Sequence, residues 1–449
     1  MGYSQTKGRK PFERASKIAH THILNSPDVQ TFIASCVLPS PPAAEDLAAL
    51  QKPVPQSKQV IRHVIAVDGG MTEVSVRKEF PSASITFMTF GPLTLSLDDL
   101  SALDATQFIA PEDMARLKNL ERYSLSIPTH AILAGGAKTF SQGVRATIHN
   151  FLTNPKRPEL LEALRWLLFR SWLPPEERHV WQVPRCPSPA CVDPGMSFSE
   201  DEPSEKPCPT CGQPVYLSDG LRLYERIDNE QGAGGIMAYL LTTLEQLVIV
   251  HIIRTLLTLK PSVLREILLI KDGPLAFFGN VAPLRKPMHE LMSWLSTKHQ
   301  GSPLICLIGL EKSGAFVEHA ALIEAALKPD HYLLLNNEYI YKYIVPGDAA
   351  GQPFGKNTYY GAKVIYKSGA GHVFVATIPT ATFSSKPAFE QLCNAAEVLR
   401  VTGALRCSMY DNALIPIVLA NKLVSLADVP SSEILKRFVT SSVGGGQSQ

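Results

Sequence analysis

Apolar residues along the chain group into short runs, typical of strands, and longer runs, typical of helices. Residues 60 to 70, VIRHVIAVDGG, form a short apolar run that ends in Asp68 and two glycines. Residues 266 to 275, EILLIKDGPL, repeat this design with Asp272. Ligand sites in open α/β sheets gather at the carboxyl ends of strands. We therefore predict that the two aspartates meet at one site.

Two segments after Asp68 carry β-branched and aromatic residues and are separated by a turn at Pro81. Together with the first strand, residues 72 to 77 and 84 to 90 predict an antiparallel meander of three strands. Residues 96 to 183 are predicted to be mainly helical. Later apolar segments predict further strands at residues 303 to 314, 331 to 344, 362 to 368 and 372 to 379. Helical patterns follow at residues 158 to 172, 287 to 299, 315 to 328, 389 to 400 and 413 to 428.

Residues 232 to 259 predict a long helix that is apolar on nearly every side, as in a helix buried between layers. Between Glu230 and Glu266 its only acidic residue is Glu245. A carboxylate buried in such a helix has to be paired, hydrogen-bonded or bound to a metal. The sequence leaves three partners open for Glu245, namely Arg254, a lysine elsewhere, or a metal ion.

Composition describes an ordinary globular chain of 449 residues, with 45% hydrophobic and 19% charged residues. The net charge of +2 gives no overall signal for nucleic acid, so a DNA-binding surface would have to be local. The basic N-terminus has no apolar segment behind it, which argues against a secretory signal. No uninterrupted apolar run has the length of a membrane span. We therefore expect a cytoplasmic protein that does not bind a membrane.

Four of the eight cysteines are clustered, as a C-x4-C pair at Cys186 and Cys191 and a C-x2-C pair at Cys208 and Cys211. Paired thiolates on two tight turns are suited to a tetrahedral zinc ion. Four free thiols or two disulfides are the alternatives, and the expected reducing compartment favours zinc. A closed four-thiolate site is structural, so this zinc is not expected to take part in catalysis.

These patterns predict an α/β fold with five parts. An N-terminal extension (1–59) precedes a core formed by residues 60–95 and 226–430. Two insertions interrupt the core, one helical (96–185) and one resembling a zinc ribbon (186–225). A flexible tail (431–449) closes the chain.

The order of the acidic residues resembles the ribonuclease H-like fold, a mixed sheet flanked by helices. Asp68 follows a strand, two more strands and the helix with Glu245 come next, and Asp272 ends the following strand. Three carboxylates at one point can hold two hard cations, which prefer oxygen ligands. Two such ions can activate water and stabilise the leaving oxygen at a phosphodiester.

Five motifs follow one another along the chain, IAVDGG (65–70), YLLTTLEQL (239–247), LLIKDGPL (268–275), IGLEKSG (308–314) and IPIVLANKL (415–423). In these motifs and their order the sequence resembles the NurA nuclease family, over roughly residues 60 to 427. The resemblance implies a manganese- or magnesium-dependent DNA nuclease with exonuclease and single-strand endonuclease activity and two ions per site. It further implies a homodimer that works with a HerA-type hexameric ATPase, in DNA repair or anti-phage defence.

Carried over by position, the resemblance makes Asp68, Glu245 and Asp272 metal ligands. The family's closing helix usually has a histidine where this chain has Asn421, whose carbonyl can coordinate a cation but cannot shuttle a proton. Lys312 is a candidate for contact with a phosphate or the attacking water, or is a solvated surface lysine. Tyr410 is a candidate for stacking on a base, or is a core residue.

Two rival functions remain open at this stage. In the first, the core and the cysteine module form a non-catalytic adaptor that binds DNA or a translocase. In the second, the cysteine module itself is the nucleic-acid binder. Metal occupancy at the three carboxylates distinguishes the nuclease from the adaptor.

Overall fold

The computed structural model describes residues 18–39, 41–77, 82–97, 122–192, 195–297, 303–405, 414–424 and 434–435. The chain divides into two compact units, Met1–Ser40 and Pro41–Gln449. Within the first unit, the described residues form two short helices, α1 (Ile18–Leu24) and α2 (Pro27–Ser35). All the features below belong to the second unit.

Strands in the described part of the second unit form one large sheet and two hairpins. In chain order they are β1 (Lys52–Pro53), β2 (His63–Arg77), β3 (Ala83–Ser96), β4 (Tyr123–His130), β5 (Trp181–Val183), β6 (Met196–Phe198), β7 (Glu205–Pro207), β8 (Pro214–Tyr216), β9 (Ile267–Asp272), β10 (Cys306–Glu311), β11 (His331–Leu334), β12 (Gly361–Lys367) and β13 (Val373–Pro379). The large sheet has the order β1-β11-β12-β13-β10-β9-β2-β3-β4, and the hairpins are β5-β6 and β7-β8.

The predicted mixed α/β architecture is confirmed. Strands β2, β3 and β4 are antiparallel neighbours, whereas β9 pairs with β2 and with β10 in parallel. Four further strands extend the sheet beyond β10 by antiparallel pairing. Strands β2, β9 and β10 therefore run in the same direction, and their carboxyl ends point toward the same edge of the sheet.

Helices of the second unit cover both faces of this sheet. They are α3 (Ala44–Leu50), α4 (Phe140–Leu152), α5 (Glu159–Phe169), α6 (Met237–Leu259), α7 (Pro261–Leu264), α8 (Arg285–Ser296), α9 (Ala315–Ile323), α10 (Asn337–Tyr343), α11 (Ala395–Ala404) and α12 (Ile415–Val424). One face, here called the α6 face, packs on α4, α5, α6 and α8 and includes Ile65 and Val67. The opposite α12 face packs on α11 and α12 and includes Val64 and Ala66.

Helix α6 is the predicted long apolar helix, and most of it is buried in the core. Gly234–Leu259 is long and apolar enough to cross a membrane by length and composition, and 72% of the apolar window is buried inside the fold. Its apolar surface is therefore covered by the sheet and by neighbouring helices such as α5.

The prediction that the first strand ends at Asp68 is wrong. Strand β2 continues through Asp68, Gly69 and Gly70 to Arg77. Antiparallel pairing with β3 spans this whole segment and includes the pairs Asp68↔Gly91 and Gly69↔Phe90. Only the parallel pairing with β9 stops here, at Val67↔Lys271. Backbone hydrogen bonds to β3 keep the glycines extended where a turn was expected.

Two other local predictions also need correction. Residues 96 to 183 contain helices α4 and α5, but they also supply β4, which forms an edge of the large sheet. The expected strand at residues 331 to 344 ends at Leu334 and is followed by helix α10, because the Asn336 side chain accepts a hydrogen bond from the Tyr339 N–H (2.8 Å) and caps that helix. The boundaries of the five predicted parts stay predictions.

Candidate functional site

Asp68 and Asp272 project from neighbouring strands on the same face of the sheet. Side chains alternate along a strand, and Val64 and Ala66 of β2 and Leu268 and Ile270 of β9 all lie on the α12 face. The parallel register pairs Val67 with Lys271, so the next residues on the two strands are the two aspartates. The predicted meeting of Asp68 with Asp272 therefore follows from strand alternation and register.

Asp68 is only 3% exposed, and its two carboxylate oxygens differ in environment. Oδ1 accepts a hydrogen bond from the Gly69 N–H (2.8 Å), whereas Oδ2 is buried and has no hydrogen-bond partner among the described residues. Burial raises the pKa of Asp68 from 3.8 to about 7, with smaller contributions from the charges of Asp272 and Glu245. A metal-free Asp68 is therefore largely protonated at pH values below neutrality.

Glu245 approaches the aspartates from the α6 face, through a gap that Gly69 leaves open. A Cβ atom at position 69 would lie 2.9 Å from Glu245 Oε1 and 2.8 Å from Leu241 Cδ1. Oε2 of Glu245 forms an ion pair with Lys271 Nζ (3.2 Å), and both side chains are buried. Burial raises the pKa of Glu245, and the nearby Lys271 ammonium opposes this rise. The helix carboxylate thus lies against Gly69 on the α6 face, and its charge is close enough to raise the pKa of Asp68.

Lys312 lies in the loop after β10 and forms an ion pair with Asp272. Its Nζ atom is 2.7 Å from Asp272 Oδ2, and both side chains are partly exposed. This ammonium also lowers the pKa of Asp68, although its effect is smaller than that of burial. Lys312 is therefore a positive charge at the carboxylate cluster, accessible to solvent.

Three further residues were predicted at or near the site, Arg254, Asn421 and Tyr410. Arg254, one candidate partner of Glu245, forms an ion pair with Glu162 instead (2.6 Å). Asn421 lies on α12, the helix that packs on the face of Asp68 and Asp272, and it is exposed. Tyr410 lies outside the described residues.

The carboxylates fit a hard divalent cation. A buried carboxylate oxygen such as Asp68 Oδ2 needs a hydrogen-bond donor or a bound cation, and none of the described residues donates a hydrogen bond to it. Asp272 lies beside it, and Glu245 is close enough to raise the pKa of Asp68. Among the described residues, these three carboxylates do not form a converged group of ligand atoms of the kind that the four clustered cysteines form. Oxygen donors of this kind are those that Mg²⁺ and Mn²⁺ prefer.

The four clustered cysteines converge as predicted. Their sulfurs all lie within 4.8 Å of one another. The Sγ atoms of Cys186 and Cys211 are 3.7 Å apart, and those of Cys191 and Cys208 are 3.8 Å apart. Sulfurs bound at about 2.3 Å to a tetrahedral ion are about 3.8 Å apart, whereas a disulfide brings them to about 2.05 Å. The cluster therefore has the spacing of a tetrahedral metal site and excludes the disulfide alternative.

A buried ion pair joins this cysteine module to the core. Arg145 on α4 donates from Nε and Nη2 to the two carboxylate oxygens of Asp219 (2.8 and 2.6 Å) and also to the Pro214 carbonyl of β8 (2.8 Å). Such a bidentate pair defines orientation as well as distance. The module is held firmly on the α6 side of the sheet.

The expectation that a lysine elsewhere in the chain could pair with Glu245 is confirmed by Lys271, which the sequence reasoning did not name, and that reasoning missed the open side of Gly69. A signal for Lys271 was present, since a lysine inside the apolar run ILLIKDG has to be paired when that strand is buried. Its partner could not be chosen, because Glu245 is 26 residues away and only the packing of α6 on β9 joins them.

The fold and the site define an α/β protein with buried carboxylates beside the ends of its parallel strands and with a separate four-cysteine cluster. The sequence matches no family model and no curated protein. Among solved structures, the chain is similar to the NurA nuclease from Sulfolobus solfataricus, with a TM-score of 0.33 and 8% sequence identity over 96% of this chain and 98% of that chain. A likeness this distant does not by itself assign a function.

Proposed function

We propose that this protein is a metal-dependent nuclease that hydrolyses phosphodiester bonds in DNA. The observation that carries the proposal is Asp68, a buried carboxylate with one unpartnered oxygen and a pKa raised to about 7. Such a group destabilises the metal-free fold. Its presence beside Asp272 and Glu245 is explained when the three carboxylates bind divalent cations.

In this proposal Asp68, Glu245 and Asp272 hold two Mn²⁺ or Mg²⁺ ions, with Asn421 as a further oxygen ligand. The ions supply Lewis-acid activation of water and stabilisation of the leaving oxygen. Gly69 keeps the passage between Glu245 and Asp68 free of a side chain. Lys312 exchanges Asp272 for a phosphate oxygen of the substrate, because its ammonium is partly exposed at the cluster.

The finer assignment follows the resemblance to the NurA family in the motifs around these residues. We propose exonuclease and single-strand endonuclease activity, a homodimer, and cooperation with a HerA-type hexameric ATPase in the cytoplasm. DNA repair and anti-phage defence would use the same chemistry. The four cysteines bind a structural zinc ion, supported by the spacing of their sulfurs.

Asp68→Asn tests the proposal, with Glu73→Gln as its matched control. Both changes replace a carboxylate by an amide of equal size on strand β2, and Glu73 is exposed. We expect Asp68→Asn to lose Mn²⁺ binding, measured by titration with electron paramagnetic resonance, and to lose cleavage of linear DNA. The control should keep both. Equal cleavage by Asp68→Asn and the parent would refute the assignment of the site.

An adaptor without nuclease activity is the second candidate. The Lys271–Glu245 ion pair favours it, since Glu245 is satisfied there without a metal ion. This alternative predicts no Mn²⁺ bound at the carboxylates and no cleavage, while DNA or the ATPase still binds. Displacement of the Lys271 ammonium from Glu245 on addition of Mn²⁺, followed as a change in the Lys271 NMR signal, would exclude it.

A further inference from the structure

The loop that follows Asp272 is fixed along one face of helix α6. The Gln246 side chain donates a hydrogen bond to the Ala276 carbonyl (3.0 Å). Gly279 has a φ of +60°, and a Cβ atom there would lie 2.8 Å from the Tyr239 ring. Tyr239 and Gln246 are seven residues apart on α6, so they share one face of the helix. The loop therefore runs from the carboxylates toward the start of α6.

Within this loop Phe277 is buried, whereas Phe278 is held at the surface. Phe277 is 1% exposed and Phe278 is 38% exposed. The Phe278 ring packs edge-on against Tyr359, with their centroids 5.6 Å apart. The backbone contacts α6 at Ala276 and at Gly279, on both sides of Phe278, and in this arrangement more than a third of Phe278 is exposed to solvent.

Beside Phe278, the same loop positions an exposed arginine. Asn280 accepts a hydrogen bond from Arg226 Nε (2.6 Å), and the Arg226 guanidinium lies 5.4 Å from the centre of the Tyr239 ring. The neighbouring Glu225 is already paired with Arg222 (2.8 Å). Among the described residues no salt bridge engages Arg226, so its charge is available to an anion.

We propose that Phe278 and Arg226 form a binding site for single-stranded DNA, in which a base stacks on Phe278 and a phosphate binds Arg226. The inference rests on the proposed function, because it takes the carboxylates as the place where the strand is cut. Tyr239 precedes Glu245 by six residues, which is about 9 Å along a helix. This is on the order of one to two nucleotides of an extended strand. Phe278 and Arg226 thus bind the strand next to the nucleotide that is hydrolysed.

Two interactions that are independent of base sequence would hold the strand at Phe278 and Arg226. A base stacked on an aromatic ring contributes to affinity whatever its identity, because every base has a π face. A contact between arginine and phosphate contributes salt-dependent affinity. Phe278 offers the stacking surface and Arg226 the contact to phosphate. The two are linked because Arg226 donates a hydrogen bond to Asn280, which follows Phe278 by two residues in the loop. With an overall charge of only +2, a DNA-binding surface on this protein has to be local.

The test is DNA binding by the full chain with its zinc in place and with Mn²⁺ and Mg²⁺ omitted. Fluorescence anisotropy of a labelled deoxythymidine oligomer should show about 10-fold weaker binding for Phe278→Ala, and near-parental binding for Phe278→Trp. Arg226→Ala should weaken binding and reduce the slope of log affinity against log salt by about 0.7, as for one lost phosphate contact.

Two controls lie at the opposite end of the same helix. Leu259→Ala and Lys260→Ala change exposed residues about 30 Å from Tyr239 along α6 and should leave binding unchanged. An oligomer with 2-aminopurine should lose fluorescence on binding to the parent and not to Phe278→Ala. Parental affinity and quenching in Phe278→Ala would overturn the inference. The binding assay does not depend on cleavage of the DNA. A protein that binds DNA through Phe278 but does not cut it would therefore refute the proposed nuclease function and leave the DNA-binding site intact.

Discussion

Replacing Asp68 by asparagine should stabilise the metal-free protein above neutral pH. The substitution keeps the size of the side chain and removes a charge that burial disfavours. The pKa of Asp68 rises from 3.8 to about 7 on folding, so the folded protein binds more protons than the unfolded chain between these values. Stability of the parent therefore falls as pH rises through this window, and the full loss is present above pH 7.

The size of the effect follows from the two pKa values. At about 1.36 kcal/mol for each pH unit, ionisation of Asp68 costs the fold about 4 kcal/mol. Asp68→Asn should therefore be more stable than the parent by up to about 4 kcal/mol at pH 8. The difference should vanish near pH 4, where the folded parent carries a protonated Asp68.

The measurement is urea unfolding at pH values from 4 to 8, on protein supplied with Zn²⁺ and free of Mn²⁺ and Mg²⁺. Glu73→Gln, on the exposed side of the same strand, should stay within about 0.5 kcal/mol of the parent at every pH. Addition of Mn²⁺ should reverse the order at pH 8, because only the parent gains from binding the ion. A stability difference between Asp68→Asn and the parent that does not change with pH would refute the reasoning.

Three further predictions concern the surroundings of the site. Gly69→Ala should cost about 1–3 kcal/mol in urea unfolding and weaken Mn²⁺ binding, because its methyl group would meet Leu241 and Glu245 at 2.8 and 2.9 Å. Parental stability and parental Mn²⁺ affinity in this variant would show that the space beside Gly69 is not tight. Lys271→Met should lower the free energy of unfolding by about 3–5 kcal/mol, because it leaves the buried Glu245 unpaired. Adding Glu245→Leu should recover most of that loss, and a double variant as unstable as the single one would contradict the pairing. Cys208→Ser should lower the zinc content measured by mass spectrometry and lower the melting temperature, and full zinc content in this variant would argue against the four-sulfur site.

Local chemistry made several features predictable. The spacing of Cys186, Cys191, Cys208 and Cys211 indicated a metal cluster, because the thiolates of each pair are brought together by a short turn. The all-round apolar helix indicated a buried α6, since such a surface has to be covered. Short apolar runs indicated β9, β10, β12 and β13, whose positions the structure confirms.

Features set by neighbouring strands were harder to predict. Asp-Gly-Gly at residues 68 to 70 has the local character of a turn, yet pairing with β3 keeps it extended. Strand β4 lies in a segment that was predicted to be mainly helical, although its residues YSLSIPTH alternate between apolar and polar as in a half-buried strand. At Asp-Gly-Gly long-range hydrogen bonds outweighed local preference, whereas at β4 a local strand pattern was overlooked.

For the candidate site, the sequence by itself singled out Asp68, Glu245 and Asp272, because carboxylates in apolar segments need a partner. Only the tertiary structure decided how they face one another. Strand alternation directs both aspartates to the α12 face, and the packing of α6 brings Glu245 to Lys271 and, past Gly69, toward Asp68. These arrangements depend on contacts between segments far apart in the chain, whose register and packing no local pattern specifies.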